Sequence, residues 1–391
     1  MKNVIPEINQ IKSFIKKYIV GYDEELDILL STIVMKTNCV MIGDVGTAKT
    51  LIIDLLTKTI KCKVFKYLLH PFIEKEELFG YLDVKTYRET GKRVFRTEGY
   101  LPEANIVFFD EVFKAPPSVR HMLLDLLMFR RVSIDGRIIH VPLYAMYGAS
   151  NEIPTEKEDQ AFWDRMTFRI FVKGIDETQL DELYMKSLKL EIEKPLLNTK
   201  PIIDISSFDK LHEEYLRRLE DISISEEIKE AWKKVLVGAK ELGIVVSPRR
   251  ATLLLKSAVA YSIVVNDPMV EPYHLATVSK YVLANTPEEV PKIEQKVREL
   301  GIVPETEILK KIDMLITEGN NLIEYISKRI REKKIDIKDK IQIDNYLTKA
   351  GNVIEEASKL TKIRRRTEIK LKLQTLDKIV NKLEELMGEI Q

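Results

Sequence analysis

The chain has 391 residues, of which 45% are hydrophobic, so it can bury the cores of two or three domains. Its 62 lysines and arginines nearly balance 61 aspartates and glutamates, and the net charge of +1 gives no general basic field for DNA or a membrane surface. No stretch of the sequence approaches the length of a transmembrane helix. The apolar positions of the first twenty residues repeat at helical spacing, which predicts an amphipathic first helix rather than a signal peptide.

Cysteine and histidine usage indicates neither a disulfide framework nor a zinc site. Cys39 and Cys62 flank the first predicted strand–helix unit in apolar surroundings, so we expect buried, reduced thiols in a cytoplasmic protein. The five histidines are scattered, and no pair has the spacing of zinc ligands.

The stretch GDVGTAKT, which begins at Gly43, nearly matches the phosphate-binding pattern G-x-x-x-x-G-K-[ST]. Gly43 and Gly46 allow a sharp turn that brings backbone N–H groups close to phosphate oxygens. Lys49 would supply a positive charge to the phosphates, and Thr50 a hydroxyl to Mg²⁺. The departure is Ala48, which stands where the pattern has glycine. Alanine costs little at this position if its φ is negative, and on that condition we expect a working loop.

The surroundings of this loop favour a phosphate site over an ordinary glycine turn. The apolar run Cys39–Ile42 predicts a buried strand before the loop. Helical spacing after the loop predicts a helix with one apolar face, formed by Leu51, Ile52, Leu55, Leu56 and Ile60. A strand, a glycine-rich turn and a helix in this order are the context that the motif requires.

Two further strands are predicted to end in polar groups. The apolar run Ile106–Phe109 reads as a central parallel strand, with Asp110 and Glu111 at its carboxyl end, where open α/β sheets bind ligands. Asp110 could hold Mg²⁺ and Glu111 could polarise the attacking water, although two solvent-facing acids are the alternative. Asn151 follows the next strand and could position the water or sense the γ-phosphate, rather than serve as a turn residue.

Turn residues and helical spacing predict the secondary structure of the rest of the chain. Two hairpins are predicted, one with Asp135–Gly136 at its turn and one, or an insertion, with Glu89–Gly91 at its turn. Four helical periods then follow between residues 206 and 285, after a linker over residues 190–204. Residues 301–391 read as two or three long helices in an antiparallel bundle or coiled coil. The basic run Lys362–Arg366 could bind nucleic acid, but a solvated helix face or loop is the favoured interpretation.

Together these segments resemble the MoxR group of AAA+ ATPases, and within that group most closely the RavA branch. The resemblance covers residues 10–290 in sequence order, and it is carried by EELFGYLDV, GYLPEANIVFFDEVFKA, GASNEIP, FWDRMTFRI and VSPRRATLLLKSA. The group often carries alanine before the loop lysine. The implied fold is an α/β AAA+ core with a parallel sheet in the order 5-1-4-3-2 over residues 1–178. A helical lid over 179–300 and an all-α region over 301–391 would follow.

The resemblance also implies roles for single residues. The nucleotide would contact Gly21, Tyr22, Gly43, Asp44, Val45, Gly46, Thr47, Ala48, Lys49, Thr50 and Leu51, with Thr50 and Asp110 holding Mg²⁺. Asp110 and Glu111 match the Walker B motif, and Asn151 matches sensor 1. Arg165 matches the arginine finger that reaches a neighbouring subunit's γ-phosphate, with Arg169 as a second candidate. Arg249 matches sensor 2, with Arg250 as a rival, and an ordinary surface ion pair is the alternative for each of these arginines.

The expected function is that of an Mg²⁺-dependent ATPase that assembles into a homohexameric ring and remodels or matures other proteins. The resemblance also implies a partner with a von Willebrand factor A domain, which we expect on a separate chain. Two alternatives stay open at this point. The first is a nucleic-acid motor, which the near-neutral charge disfavours. The second is an ATP-gated scaffold with little turnover, against which Glu111 and Arg165 argue.

Overall fold

The computed structural model describes residues 4–134, 136–154, 157–222, 225–302, 305–332, 337–359 and 366–389. The chain forms two compact units, Met1–Leu300 and Gly301–Gln391. The further division of the first unit into a core over residues 1–178 and a lid over 179–300 stays a prediction.

A five-stranded parallel sheet lies at the centre of the first unit. Its strands are β1 (Asn38–Ile42), β2 (Val64–Leu68), β3 (Ile106–Asp110), β4 (Ala145–Ser150) and β5 (Phe168–Phe171). They pair in the order β5-β1-β4-β3-β2, which confirms the predicted order 5-1-4-3-2. The α/β AAA+ fold class is therefore confirmed. The carboxyl ends of β1, β3 and β4 meet at one edge of the sheet, and this edge carries the candidate site.

The central strands are fully enclosed. Every residue of β1 and β4 is buried, as are the first four residues of β3. Continuous apolar runs are what a parallel strand needs when helices cover both faces of its sheet. The helices of this part of the unit are α1 (Ile5–Ile15), α2 (Asp23–Val34), α3 (Lys49–Thr59), α4 (Lys75–Phe79), α5 (Val84–Thr90), α6 (Pro117–Phe129), α7 (Lys157–Asp164), α8 (Leu180–Glu193) and α9 (Pro195–Asn198).

Helix α1 confirms the amphipathic helix that the N-terminal sequence predicts. It buries four isoleucines at helical spacing, namely Ile5, Ile8, Ile11 and Ile15. Helix α8 is different, because none of its residues is buried. Apolar side chains at a spacing of four residues are exposed along it: Leu180, Tyr184, Leu188 and Ile192. A helix packed on a core would normally bury such a row.

One predicted hairpin is confirmed and the other is corrected. Arg131–Ile134 pairs antiparallel with Arg137–His140, as expected, while Asp135 of its turn lies outside the described residues. The short strands Tyr81–Leu82 and Phe95–Arg96 also pair, but Glu89–Gly91 is not a turn between them. It is the end of α5, which starts because the Asp83 carboxylate accepts hydrogen bonds from two backbone N–H groups.

Five helices follow in the first unit: α10 (Ser207–Ile222), α11 (Glu226–Glu241), α12 (Pro248–Val264), α13 (Pro272–Leu283) and α14 (Glu289–Glu299). The first four confirm the four helical periods, whereas α14 was not predicted. The predicted linker over residues 190–204 begins inside α8 and ends in a short strand, Ile203–Asp204, that pairs with Ile60–Lys61. A two-residue strand is too short to leave a pattern in the sequence.

The second unit is helical, as predicted, and consists of α15 (Glu305–Arg331), α16 (Ile337–Lys359) and α17 (Arg366–Glu389). All three helices contribute to one apolar core, with Ile312, Ile326, Tyr346, Leu376 and Leu383 at most 1% exposed. The basic run Lys362–Arg366 lies outside the side chains that the structure describes. Within the described ranges, no helix is both long enough and apolar enough to cross a membrane.

Candidate active site

The loop between β1 and α3 has the glycine requirements of a phosphate-binding turn. A Cβ atom at Gly43 would lie 2.8 Å from the carbonyl oxygen of Val172, so a side chain there would displace backbone. Gly46 has a φ of +85°, in the region that L residues with side chains avoid. The Gly43 N–H donates to the Ser150 carbonyl of β4 at 3.2 Å, which ties the start of the loop to the sheet edge.

Ala48 has a φ of +62° and a ψ of +19°, which is the left-handed conformation. The condition of a negative φ is therefore not met, and the expectation that alanine costs little here is wrong. The reason is positional: Ala48 is the last residue before α3, and its carbonyl already accepts the N–H of Ile52 at 3.0 Å. The chain changes direction at this residue, and a non-glycine residue in this conformation costs about 1–2 kcal/mol.

The Lys49 side chain lies over the loop and reaches the next strand. Its Nζ donates to the carbonyl oxygens of Gly43 at 2.6 Å and Asp44 at 2.8 Å, and to Asn151 Oδ1 at 3.1 Å. Burial lowers the pKa of Lys49, and the charges of Asp110, Glu111 and Asp44 oppose that shift. Lys49 is thus a desolvated ammonium group that lies among loop carbonyls and would gain from an anionic ligand.

Thr50 and Asp110 place two oxygens together at the sheet edge. The Thr50 hydroxyl donates to Asp110 Oδ2 at 3.1 Å. One hydroxyl and one carboxylate are a donor set that suits Mg²⁺, which usually takes few protein ligands and keeps several waters and phosphate oxygens. The two residues therefore fit the metal site that was predicted for them.

Glu111 and Asn151 complete the group. Asn151 Nδ2 donates to Glu111 Oε1 at 2.8 Å, while Lys114 Nζ lies 3.3 Å from the other carboxylate oxygen. Glu111 itself has a φ of +53°, and such backbone strain in a non-glycine residue occurs most often at functional sites. Asn151 thus contacts Glu111 and Lys49 at once. We call Lys49, Thr50, Asp110, Glu111 and Asn151 the phosphate end of the site.

A cavity of about 590 Å³ opens beside the loop. Predicted nucleotide-binding residues line it, namely Gly21, Tyr22, Val45, Gly46, Thr47, Ala48 and Leu51. Further lining residues were not predicted, and they come from α8, α13 and α14: Leu183, Ser187, Leu190, Lys280, Tyr281 and Glu294. The size and mixed lining of the cavity suit a nucleoside.

A buried charge network joins the wall of this cavity to α2. Lys280 Nζ lies 2.9 Å from Glu24 and 2.7 Å from Glu294, and Tyr281 donates to Glu25 at 3.0 Å. Burial disfavours the charged form of Lys280, but the two glutamates outweigh it and raise its pKa. Lys280 and Glu24 are 256 positions apart in the chain, so no local pattern could have indicated their contact.

Two of the four predicted arginines lie partly exposed around Asp164, at the end of α7. Arg249 Nε is 3.5 Å from Asp164 Oδ2, and Arg165 donates to the Ala161 carbonyl at 2.5 Å. Partial burial and then the charge of Arg249 lower the pKa of Arg165, whereas the charge of Asp164 opposes that shift. We call Asp164, Arg165 and Arg249 the arginine cluster.

The other two arginines are buried inside the chain. Arg169 is 2% exposed and contacts the Trp163 carbonyl, the Ala284 carbonyl and Asn285, with its guanidinium 4.4 Å from the centre of the Trp163 ring. Arg250 is 4% exposed and donates to three carbonyls, those of Trp163, Thr167 and Val282. Arg169, the second finger candidate, and Arg250, the sensor 2 rival, are thus held by backbone carbonyls of this chain, although Arg169 also lines the cavity. Their predicted roles stay predictions. Of the two finger candidates, Arg165 is the more exposed. Of the two sensor 2 candidates, Arg249 is the more exposed.

Comparison with known proteins shows which family the chain resembles. A family model described as the MoxR domain of MoxR-vWA-beta-propeller ternary systems matches residues 6–213. An uncharacterized protein of Methanocaldococcus jannaschii is 33% identical over 74% of this chain and 74% of its own length. The chaperone MoxR1 of Mycobacterium tuberculosis is 29% identical over 40% of this chain and 42% of its own.

A solved structure supports the fold. The crystal structure of a "putative ATPase" from Cytophaga hutchinsonii has a TM-score of 0.59 and 19% identity, and the match covers 75% of this chain and 94% of that one. At this identity the likeness concerns the fold alone. The family model spans more than half of the chain. The chain therefore belongs to the MoxR family.

Proposed function

We propose that this chain binds ATP with Mg²⁺ and hydrolyses it. The observation that carries the proposal is the position of Asn151, which contacts both the loop lysine and Glu111. This arrangement puts a positive group, an amide and a carboxylate at one point of the sheet edge. Phosphoryl transfer to water needs these functions: charge neutralisation, orientation and a group that polarises the water.

Each residue of the phosphate end has a distinct part in this proposal. Lys49 and the loop N–H groups would bind the phosphates. Thr50 and Asp110 would hold Mg²⁺, which when bound neutralises phosphate charge. Glu111 would orient the attacking water and accept its proton, while Asn151 would fix the direction of the Glu111 carboxylate.

The arginine cluster supports a ring in which each site is completed by a neighbouring subunit. Within the described residues, Arg165 and Arg249 are absent from the lining of the cavity, and Asp164 is the carboxylate beside them. A head-to-tail contact would bring this cluster to the γ-phosphate of the next subunit, and such contacts close into rings. The exposed apolar row of α8 supports assembly further. The number of six subunits follows from the AAA+ resemblance.

The proposed role is remodelling or maturation of partner proteins in the cytoplasm. The description of the matching family, which names a MoxR-vWA-beta-propeller system, supports a separate partner with a von Willebrand factor A domain. The name of the M. tuberculosis relative supports a chaperone role. Placement in the RavA branch stays a prediction from the sequence.

The variant Glu111→Gln tests the proposal. It keeps the shape of the side chain and the Mg²⁺ ligands but removes the carboxylate, so ATP should still bind while steady-state turnover is lost. Glu152→Gln is the matched control, because Glu152 is the next acid in the chain after Asn151 and its side chain is exposed. Turnover near the wild-type rate in Glu111→Gln would remove Glu111 from the mechanism. A wild-type protein that binds ATP without turnover would instead favour the ATP-gated scaffold.

A further inference from the structure

The Tyr22 hydroxyl donates a hydrogen bond to the backbone carbonyl of Thr47. This contact joins the segment that precedes α2 to the phosphate-binding loop, 25 positions further along the chain. Burial raises the pKa of Tyr22, so the phenol keeps its proton and can donate. The carbonyl that it contacts belongs to the peptide group immediately before Ala48.

This peptide group controls the conformation of Ala48. A trans peptide is planar, and its N–H points away from its C=O, so a group that fixes Thr47 O also fixes the direction of the Ala48 N–H. On the other side of Ala48, the carbonyl is fixed by the first turn of α3 through the N–H of Ile52. Ala48 is thus constrained from both sides in a left-handed conformation that alanine disfavours.

We propose that Tyr22 is a positioning residue that holds Ala48 in the left-handed conformation and so keeps the loop N–H groups directed at the phosphates. Without the hydroxyl, rotation of the Thr47–Ala48 peptide would release Ala48 from this conformation and turn its N–H away. A glycine would need no such support, because it adopts positive φ at no steric cost. Tyr22 and Ala48 therefore act as a coupled pair, in which the tyrosine compensates for the alanine.

A double-mutant cycle tests this coupling, and it rests on the proposed nucleotide binding. The four proteins are wild type, Tyr22→Phe, Ala48→Gly and the double variant, and the readout is the Kd of Mg·ATP by titration. Tyr22→Phe keeps the ring that lines the cavity. It should weaken binding about three- to tenfold with alanine at position 48, the factor expected for one hydrogen bond, and less than about twofold with glycine there.

Tyr147→Phe is the matched control, because Tyr147 is fully buried and its hydroxyl also donates to a backbone carbonyl, that of Leu29, at 2.7 Å. Its effect should be the same in both backgrounds. Equal weakening of ATP binding by Tyr22→Phe in both backgrounds would overturn the coupling and leave Tyr22 as a contact of the base. Unchanged binding in Tyr22→Phe alone would overturn the positioning role. Absence of ATP binding in the wild-type protein would instead refute the proposed function itself.

Discussion

The phosphate end and the arginine cluster differ in how much of each one chain provides. At the phosphate end, the first two residues of α3 contact residues at the carboxyl ends of β3 and β4 through side-chain hydrogen bonds. In the arginine cluster, Asp164 pairs with Arg249 and also with the buried Arg250. Arg165 and Arg249 are absent from the described lining of the cavity. The phosphate end needs only a bound nucleotide to be complete. The arginine cluster would also need the site of a neighbouring subunit opposite it. The difference favours an active site that is completed only between subunits.

The largest expected effect is on stability, where replacing a buried arginine should cost more than replacing an exposed one. Arg169→Ala removes three buried hydrogen bonds and an aromatic contact and leaves a cavity, so we expect a loss of about 3–5 kcal/mol in the free energy of unfolding. Arg165→Ala should cost less than about 1 kcal/mol. Urea titration of both variants gives the comparison. Equal losses would mean that Arg165 is also a packing residue.

Lys49→Ala should have the next largest effect, on ligand affinity. Removing a desolvated ammonium that faces the phosphates should raise the Kd of Mg·ATP about a hundredfold, or about 2.7 kcal/mol. Lys58→Ala is the control, because Lys58 lies on the same helix and is exposed. An unchanged Kd in Lys49→Ala would show that the loop does not bind the phosphates.

Ala48→Gly should have the smallest effect. Glycine relieves the left-handed strain at φ +62°, so the free energy of unfolding should rise by about 1 kcal/mol, less the entropy that glycine adds to the unfolded chain. ATP affinity and turnover should stay near those of the wild type, because Tyr22 already holds the loop. A large gain in turnover would mean that the alanine impairs the site, and that its strain is not fully compensated.

The sequence predicts the sheet and the phosphate end well because both follow from local rules. Parallel strands that end in polar residues bring them to one sheet edge, and this rule places Asp110, Glu111 and Asn151 at the same edge. The conformation of Ala48 could not be predicted, because an alanine carries no mark of the φ that its surroundings impose. Nor could the buried state of Arg169 and Arg250, since each depends on carbonyls from distant segments. The contact between Lys280 and Glu24 was missed for the same reason.

The most direct test of a shared site is a mixing experiment with two inactive variants. Arg165→Ala subunits keep an intact phosphate end, and Lys49→Ala subunits keep an intact arginine cluster. In an equal, random mixture about a quarter of the head-to-tail contacts should join the two intact parts. Steady-state ATPase activity is measured across mixing ratios, with subunit exchange and ring formation confirmed. We expect neither variant to turn over appreciably alone and the mixtures to recover activity, with a maximum near equal proportions. Mixtures that stay inactive at every ratio would contradict an arginine that acts on a neighbour's ATP.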